Sequence, residues 1–410
     1  MSTVPPIQRV VYVVSLFPCW SETFIVREIR TLIADGVDVR IISLKPPSEA
    51  LVQADAHALR DRVHHPDRSL AGAFATLAAV ARHPLAVSAC VGAIIADMWR
   101  TPTIALKSLV ALARGVQHLR WLRAFDPQLI HAHWATYPST VAWALARIDH
   151  RRFSFTCHAH DIFLDHQLLA RKLSDAALAV TISRFNVDWL SRHVDAQARQ
   201  RLAVVHCGVD LQRSECQLDG RDPRRIVAVG RLDPIKGFDV LVDALGLLRE
   251  RGIDFRCSVI GEGPLRAALE AQTRERGLGE RIEWVGALPQ EAVQAALRDA
   301  AIFALPCQVA ADGNRDGIPV ALMEAMASGC TVATTAVSGI PELVADGVDG
   351  VVVVERDPVA LADALQHLLQ DAALRRRLAL AARQRVEREF DAQLEARKLR
   401  QLMSEAVDER

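Results

Sequence analysis

Short apolar runs alternate with longer amphipathic segments along the first half of the chain, and polar stretches separate them. Buried strands are predicted at residues 10–16, 37–44, 129–133, 153–157, 177–182 and 203–206. Between the first two strands, residues 21–35 place apolar side chains at helical spacing and predict a helix. Such alternation is typical of a parallel sheet with helices on both faces.

The same pattern starts again after the polar stretch 212–225. Strands are predicted at residues 226–230, 255–260, 282–285, 302–305, 331–334 and 350–354, with helices that begin near residues 238, 264, 290, 320, 340 and 358. Two Rossmann-like units in succession predict a cleft between domains, with ligands at the carboxyl ends of the strands. We expect an N-terminal domain over 1–211, a C-terminal domain over 212–385, and a helix over 386–410 that packs back on the first domain.

Composition narrows the class of protein. Half of the 410 residues are hydrophobic, enough for two or three domains with real cores. Lys plus Arg and Asp plus Glu each total 49, so the net charge is zero and a nucleic-acid partner is disfavoured. The eight cysteines show no CxxC spacing, which favours reduced, structural thiols. With no secretory signal or membrane-spanning run in the pattern, we expect a cytoplasmic protein.

The segment 68–123 departs from this balance. It holds seven Lys or Arg residues and one acidic residue, Asp97, among many Ala, Leu and Val. One interpretation is a basic amphipathic surface that docks on anionic lipid at the inner face of the cell membrane. The other is a pair of ordinary buried helices with solvated arginines. The sequence leaves both open.

The most informative stretch is RDGIPVALMEAM at residues 315–326. It places Asp316 just before a predicted helix and Glu324 inside that helix. Gly317 lets the backbone approach a ligand closely, Pro319 suits the first helical turn, and the helix N-terminus suits an anion. The two carboxylates would either bind the hydroxyls of a ribose or sugar or act as a general acid and base.

Two cations precede this stretch in the sequence GRLDPIKG at residues 230–237. Arg231 and Lys236 follow a predicted strand and suit a diphosphate. Fixed cations there would stabilise the charge that a leaving diphosphate gains in glycosyl transfer. The GEGP sequence that begins at Gly261 lacks the third glycine of a dinucleotide fingerprint, with Arg266 in its place. It predicts a tight turn near donor phosphates rather than a site for NAD.

Histidines follow two strands of the first series. His158 and His160 lie in FTCHAHDI, and His131 and His133 lie in HAHW, where alternation points both histidines to the same side. We expect His158, or His160 instead, to contact the transferred sugar, with His133 near the site and Asp161 orienting an imidazole or capping a helix. The His-x-His spacing suits a metal, but no third ligand is evident, so no metal is predicted.

The first strand leads into the loop FPCWSETF. Ser21 and Thr23 are candidate helix caps, and the same loop, with Glu22, is a candidate acceptor contact.

Taken together, the motifs resemble a known family. GRLDPIKG, VIGEGPLR, WVGALP, DGIPVALMEAMASG and SGIPELVADGVDG occur in the order and spacing of the retaining GT-B glycosyltransferases of family 4. FPCWSETFIVREI, IHAHWA, FTCHAHDIF and VVHCGVD resemble the subgroup that serves bacterial exopolysaccharide assembly, such as colanic-acid-type transferases. The resemblance implies an α/β fold of the GT-B type, in which two Rossmann-like domains face a central cleft.

The resemblance also implies roles for single residues. Arg231 and Lys236 would hold the donor diphosphate. Asp316, at the first acidic position of the E-x7-E motif, would contact the donor sugar, and Glu324, at the second, would hold the ribose. His158 matches a histidine near the transferred sugar.

Backbone and apolar contacts complete this implied donor site. Gly317 and Ile318 would offer backbone amides to the donor, and Leu288 with residues 285–286 would border the base. Asp replaces the usual Glu at position 316, which leaves the preferred sugar open. The first loop lacks the glycine-rich stretch of many relatives, so its acceptor contacts are not carried over.

The expected function is retaining hexosyl transfer from a UDP- or GDP-sugar to a saccharide or polyprenyl-linked saccharide, without metal or cofactor. Two alternatives remain at this point. One is a GT-B sugar-nucleotide epimerase, and the other is a non-catalytic subunit that binds sugar nucleotides.

Overall fold

The computed structural model describes residues 4–18, 22–46, 54–164 and 167–408. The chain forms two compact units. The amino-terminal unit takes in residues 1–182, 186–206 and 393–410, and the carboxy-terminal unit takes in 183–185 and 207–392. The divisions fall after residues 206 and 392, whereas the sequence placed them after 211 and 385.

The amino-terminal unit contains one parallel sheet with the strand order β3-β2-β1-β4-β5-β6-β7. Its strands are β1 (Arg9–Leu16), β2 (Asp38–Lys45), β3 (Val63–His64), β4 (Leu129–His133), β5 (Arg152–Cys157), β6 (Leu178–Thr181) and β7 (Leu202–Val204). The helices up to residue 200 are α1 (Thr23–Ala34), α2 (Ala54–His57), α3 (Leu70–Arg82), α4 (Pro84–Met98), α5 (Pro102–Val116), α6 (Leu119–Phe125), α7 (Tyr137–Asp149), α8 (His160–Phe163), α9 (Leu169–Asp175), α10 (Arg184–Leu190) and α11 (Ala196–Gln200).

The carboxy-terminal unit repeats this architecture with the strand order β10-β9-β8-β11-β12-β13. Its strands are β8 (Asp222–Val229), β9 (Arg256–Ile260), β10 (Ile282–Gly286), β11 (Ala300–Leu305), β12 (Thr331–Thr335) and β13 (Val351–Val353). Its helices from residue 238 onward are α12 (Phe238–Glu250), α13 (Arg266–Glu275), α14 (Gln290–Asp299), α15 (Val320–Ser328), α16 (Ile340–Leu343), α17 (Pro358–Gln370) and α18 (Ala372–Glu389). The last helix of the chain is α19 (Ala392–Asp408), nearly all of which belongs to the amino-terminal unit. Both sheets therefore have the Rossmann order. In each sheet the strands are parallel, and the strand order reverses between the first and fourth strands along the chain.

The apolar runs are explained by burial on both faces of each sheet. Residues 10–14 of β1 are all buried, and alternate members of the run enter two different cores. Helices α4, α5 and α7 contribute to one core. Helices α1 and α19 contribute to the other, where Leu399 and Met403 are fully buried and the Ile7 N–H donates to Ser404 Oγ at 3.0 Å. The last helix is thus part of the amino-terminal unit.

The pattern predicted the elements closely, and the fold class is confirmed. β4 occupies the residues that the sequence predicted, and five of the six helix starts predicted in the second series coincide with the structure. The helix expected near residue 264 begins at Arg266, and the segment expected as one final helix contains the end of α18 and all of α19. The two-residue strand β3 had not been predicted, because it is too short to form an apolar run.

One fold prediction concerns the loop after β8. Gly237 has φ +67°, and a Cβ there would lie 1.9 Å from the Pro306 carbonyl oxygen; Gly252 has φ +73° with open space around it. Gly252→Ala should therefore lower the free energy of unfolding by about 1–2 kcal/mol through backbone strain alone. Gly237→Ala should lower it by a further ~1–3 kcal/mol, because the loop must move away from β11. Urea unfolding of both variants measures the difference, and equal losses would contradict the close approach.

Candidate functional site

In the carboxy-terminal unit, backbone hydrogen bonds tie together the loops that follow three neighbouring strands. Gly230 N–H donates to the Ile260 carbonyl at 3.0 Å, and Gly261 N–H donates to the Gly286 carbonyl at 2.9 Å. Gly261 has φ +141°, and a Cβ there would lie 2.0 Å from the Gly230 oxygen. A side chain at this turn would displace the loop after β8, which carries both predicted cations.

The central feature of this unit is an ion pair between Lys236 and Asp316. Lys236 Nζ lies 2.9 Å from one carboxylate oxygen and 2.8 Å from the other. Only 15% and 16% of the two side chains are exposed. Lys236 ends the short 3-10 helix Pro234–Lys236, which the Asp233 side chain caps. The pair joins the loop after β8 to the segment before α15, at the point where the sheet reverses its strand order.

Protonation states at this pair follow from burial and charge. Burial lowers the pKa of Lys236, but the neighbouring groups, Asp316 first among them, together outweigh this effect, so that the pKa is raised. Cys307 Sγ donates to Asp316 Oδ2 at 3.3 Å, and burial together with that carboxylate holds the pKa of the thiol well above its usual value. The ammonium is therefore charged and the thiol neutral at physiological pH.

Two backbone amides next to the ion pair have no hydrogen bond within the described residues. They are the N–H groups of two buried residues, Gly317 and Ile318. Pro319, expected in the first helical turn, instead immediately precedes α15 with extended backbone. The two amides and the positive end of this helix form a local donor set of the kind that binds anions.

Glu324 lies on α15 and is 6% exposed. Gln290, the first residue of α14, donates from Nε2 to Glu324 Oε1 at 2.9 Å. Leu288, just before α14, packs partly buried against the core. A buried carboxylate with an amide donor on one oxygen keeps the capacity to accept hydroxyl hydrogen bonds.

Arg231 differs from the other predicted donor residues. Its side chain is 72% exposed, and its Nε lies 3.7 Å from an Asp233 carboxylate oxygen. In the described part of the chain no ion pair joins it to Asp316, so the structure brings together Lys236 and Asp316 but leaves Arg231 on the surface.

Sequence reasoning missed two residues of this site. Cys307, two residues beyond the end of β11, contacts Asp316, and Gln290 contacts Glu324. The position of Cys307 just beyond a buried strand at the reversal of strand order was the available signal. Gln290 carried only the signal of a helix start, because its partner lies on another helix.

In the amino-terminal unit, four polar side chains form a buried chain of hydrogen bonds. Tyr12 donates to Glu28 Oε1 at 2.6 Å, Glu28 Oε1 lies 3.0 Å from His133 Nε2, and His133 Nδ1 lies 3.3 Å from His158 Nε2. Since a carboxylate accepts, His133 donates from Nε2 to Glu28.

Two of the buried histidines, His131 and His158, are neutral. Burial lowers the pKa of His158 well below its usual value, and the nearby His133 and His160 lower it further. His131 has the same direction of shift, again mainly through burial. Its two nitrogens lie 2.8 Å and 3.2 Å from the hydroxyls of Ser154 and Thr156.

Asp161 holds the backbone rather than an imidazole. Its buried carboxylate accepts the N–H of Ala135 at 2.8 Å and that of His158 at 3.0 Å. Burial raises the pKa of this carboxyl group. The two bonds fix the loops after β4 and β5 relative to each other, a role that neither sequence interpretation of Asp161 had included.

The rim of this network is aromatic. Trp134, with φ +76°, packs its ring 4.4 Å from the His158 ring and 4.9 Å from that of the exposed His160. Its Nε1 donates to Glu22 Oε1 at 2.8 Å. Thr23 is the first residue of α1 rather than its side-chain cap, and Ser21 lies outside the described residues.

A possible metal-ligand set lies inside this network. Glu28, His131 and His133 each bring one ligand atom within 4.8 Å of the others. The sequence showed only His-x-His spacing and predicted no metal, because Glu28 on α1 is distant along the chain. The hydrogen bonds described above already satisfy these atoms, so the geometry suits a polar network that positions His158.

The protonation of the network can be tested directly. At pH 5.5 an imidazole with the usual pKa of about 6.5 is ~90% protonated. His131 and His158 should instead show the nitrogen chemical shifts of neutral imidazole, assigned with His131→Gln and His158→Gln. The unfolded chain binds these protons and the folded chain does not. The free energy of unfolding should therefore keep its full value above pH 6.5 and decrease as the pH falls below 6.5. Cationic shifts at pH 5.5 would contradict this assignment.

Comparisons with known proteins identify the family of the chain. The family model described as "Glycosyl transferases group 1" matches residues 216–385, and "Glycosyltransferase Family 4" matches residues 91–213. The amylovoran biosynthesis glycosyltransferase AmsK of Erwinia amylovora is 31% identical over 411 residues, covering 94% of this chain and 97% of AmsK. WcaL of Escherichia coli K12, named for colanic acid biosynthesis, is 38% identical over 208 residues, covering 50% of this chain and 51% of WcaL.

Solved structures show the same fold. Anabaena Alr3699/HepE, crystallised with UDP and glucose, superposes with a TM-score of 0.69 at 14% identity, covering 97% of this chain and 100% of that one. On the full-length match to AmsK and the two family models, the chain belongs to the family 4 glycosyltransferases, which have the GT-B fold.

Proposed function

We propose that this protein is a retaining glycosyltransferase that uses a UDP- or GDP-sugar. Its acceptor is a saccharide, carried on a polyprenyl lipid, and its product enters an exopolysaccharide or another cell-surface polysaccharide. The observation that carries the proposal is the Lys236–Asp316 ion pair beside the available amides of Gly317 and Ile318. The names of AmsK and WcaL support a role in exopolysaccharide synthesis, and UDP in the HepE structure supports a nucleotide-sugar donor.

The donor diphosphate is assigned to Lys236 and the two amides. A diphosphate that reaches Lys236 competes with Asp316 for the ammonium, whose raised pKa keeps it charged. As the bond between the anomeric carbon and the phosphate oxygen breaks, negative charge grows on the diphosphate. Lys236 and the helix N-terminus then stabilise the transition state more than the ground state. The exposed side chain of Arg231 is free to rotate toward the same phosphates.

The sugar and ribose are assigned to the two carboxylates. Asp316 accepts hydroxyl hydrogen bonds from the donor sugar once the diphosphate shares its lysine, and the neutral Cys307 thiol keeps one of its oxygens oriented. Glu324 accepts from the ribose hydroxyls while Gln290 holds its other side. The family resemblance assigns His158 a polar contact with the transferred sugar, and a neutral imidazole suits a hydrogen bond to a hydroxyl.

Retention follows a front-face course in this proposal. The acceptor hydroxyl attacks the anomeric carbon from the side on which the diphosphate leaves, and its proton passes to a diphosphate oxygen. One carbon–oxygen bond breaks, another forms, and no protein nucleophile or base is required. Asp316 is held by an ammonium and a thiol, which suits a binding carboxylate better than an attacking one. Exclusion of water around the donor limits hydrolysis.

Substitutions at the ion pair test this function. Asp316→Asn and Lys236→Gln should each lower kcat/KM for sugar transfer by about 10²–10³-fold, the usual loss when a transition-state contact is removed. Asp363→Asn is the matched control, because Asp363 forms a 2.7 Å ion pair with Arg251 in the same unit and is 63% exposed. That control should change kcat/KM less than twofold.

The measurement follows radiolabelled sugar from UDP- and GDP-sugars into a lipid-linked saccharide fraction. The anomeric configuration of the product, determined by NMR, should equal that of the donor. An inverted product would contradict retention, and unchanged transfer in Asp316→Asn would contradict the site. Release of an altered sugar without acceptor would identify an epimerase, and donor binding without transfer would identify a binding subunit.

A further inference from the structure

Helices α3, α4 and α5 of the amino-terminal unit expose an unusual number of apolar side chains. Of the fifteen large hydrophobic residues that are exposed in the described part of the chain, nine lie between residues 70 and 110. Six of them keep 63–86% of their surface exposed: Leu70, Phe74, Leu77, Leu85, Trp99 and Leu106. Concentrated exposure of this kind marks an interaction surface, whereas single exposed apolar residues do not.

Helix α3 shows the effect most clearly. Leu70, Phe74 and Leu77 have the spacing of one helical face, and this face points to solvent. The helix carries no charged residue before Arg82, and its buried positions are the small residues Gly72 and Ala79. A surface helix of a globular protein normally turns polar residues outward and apolar residues inward. In α3 the large apolar residues are on the outside.

The helix is nevertheless anchored to the fold. Thr76 Oγ1 donates to the Ala113 carbonyl on α5 at 3.1 Å, and Gln117 Nε2 donates to Thr76 Oγ1 at 3.2 Å. Helix α5 in turn packs on α7, which is buried along most of its length. The exposed apolar face therefore belongs to a supported layer of helices, with α4 packed against α5.

Positive charge accompanies the apolar residues. Arg82, Arg100 and Lys107 are exposed, and none of them forms an ion pair with another residue in the described part of the chain. The Arg100 guanidinium lies 4.8 Å from the centre of the Trp99 ring. Asp97, the single acidic residue of the segment, accepts the Leu168 N–H at 2.8 Å. Exposed cations without a carboxylate partner, beside a tryptophan and apolar side chains, suit the boundary between phosphate headgroups and acyl chains.

We propose that the exposed face of α3–α5, with Arg82, Arg100 and Lys107, docks on a bilayer that contains anionic lipid. The apolar side chains would enter the acyl boundary, and the three cations would pair with lipid phosphates. A second copy of the chain fits this face less well, because it would bring like charges together. Of the two sequence interpretations of residues 68–123, the exposure of these side chains favours the lipid-docking one.

The geometry of the helices suits lying on a membrane. In the residues that the structure describes, no single helix is long and apolar enough to span a bilayer; α3 and α4 qualify only as a pair, bent by 103°. The inference deepens the proposed function and rests on it only for the acceptor, since a polyprenyl-linked saccharide would be presented at the same surface. Docking itself does not depend on the donor chemistry.

Vesicle flotation tests the surface. The full chain should float with vesicles of phosphatidylcholine and phosphatidylglycerol at 70:30, and at least tenfold less with phosphatidylcholine alone or in high salt. Phe74→Glu/Leu77→Glu and Arg82→Glu/Arg100→Glu/Lys107→Glu should each lower binding at least tenfold. Val354→Glu, at a 70%-exposed apolar residue of the other unit, is the matched control and should leave binding unchanged.

A second readout locates the contact. Brominated lipids should quench part of the tryptophan fluorescence of the wild type, and Trp99→Phe should remove that part. Absence of wild-type binding, or equal loss in Val354→Glu, would overturn the proposal. So would a wild-type dimer that Phe74→Glu/Leu77→Glu dissociates, since the occupant would then be a second copy. These variants should bind nucleoside diphosphates as tightly as the wild type. That measurement distinguishes a failure of membrane docking from a failure of the donor site.

Discussion

The largely buried ion pair of Lys236 and Asp316 is the interaction on which the carboxy-terminal site depends. Removing two charges from water costs several kcal/mol, and pairs of this kind are often replaced by apolar residues with no loss of stability. Stability is therefore a weak reason for such a pair. A better reason is a ligand that carries anionic phosphates next to hydroxyl donors. Its phosphates would bind the ammonium, and its hydroxyls would bind the carboxylate. The hydrogen-bonded loops after β8, β9 and β10 hold the lysine in place for it.

In the amino-terminal unit, by contrast, burial disfavours charge on the polar side chains. Its buried side chains include three histidines, and a charged imidazole there would have no solvent to stabilise it. Burial lowers the pKa of His131 and His158, and the carboxylate of Glu28 fixes the tautomer of His133. The result is a connected set of donors and acceptors in which His131 and His158 are neutral and Glu28 supplies the carboxylate.

Much of this arrangement was visible in the sequence, and the remainder depends on tertiary pairing. Apolar runs located the strands because both faces of each sheet are covered, and Lys236, Asp316 and Glu324 stood out because they sit at fixed distances from glycine turns and a helix start. The partners Cys307 and Gln290 did not, since neither is near its carboxylate along the chain. Arg231 lies in the same motif as Lys236 but is exposed. Exposure of the α3 face was equally undetermined, because an apolar helix has the same composition whether it is buried or not.

The central claim is that Lys236 and Asp316 bind adjacent parts of one donor, the diphosphate and the sugar. Calorimetric titration of UDP, GDP and their sugars, in EDTA, tests it most directly with the wild type, Lys236→Gln and Asp316→Asn. We expect Lys236→Gln to weaken the nucleoside diphosphate at least tenfold. Asp316→Asn should bind the free diphosphate at least as tightly as the wild type, because the lysine has no competing carboxylate, and should lose the added affinity of the sugar. Equal binding by all three proteins would contradict the account.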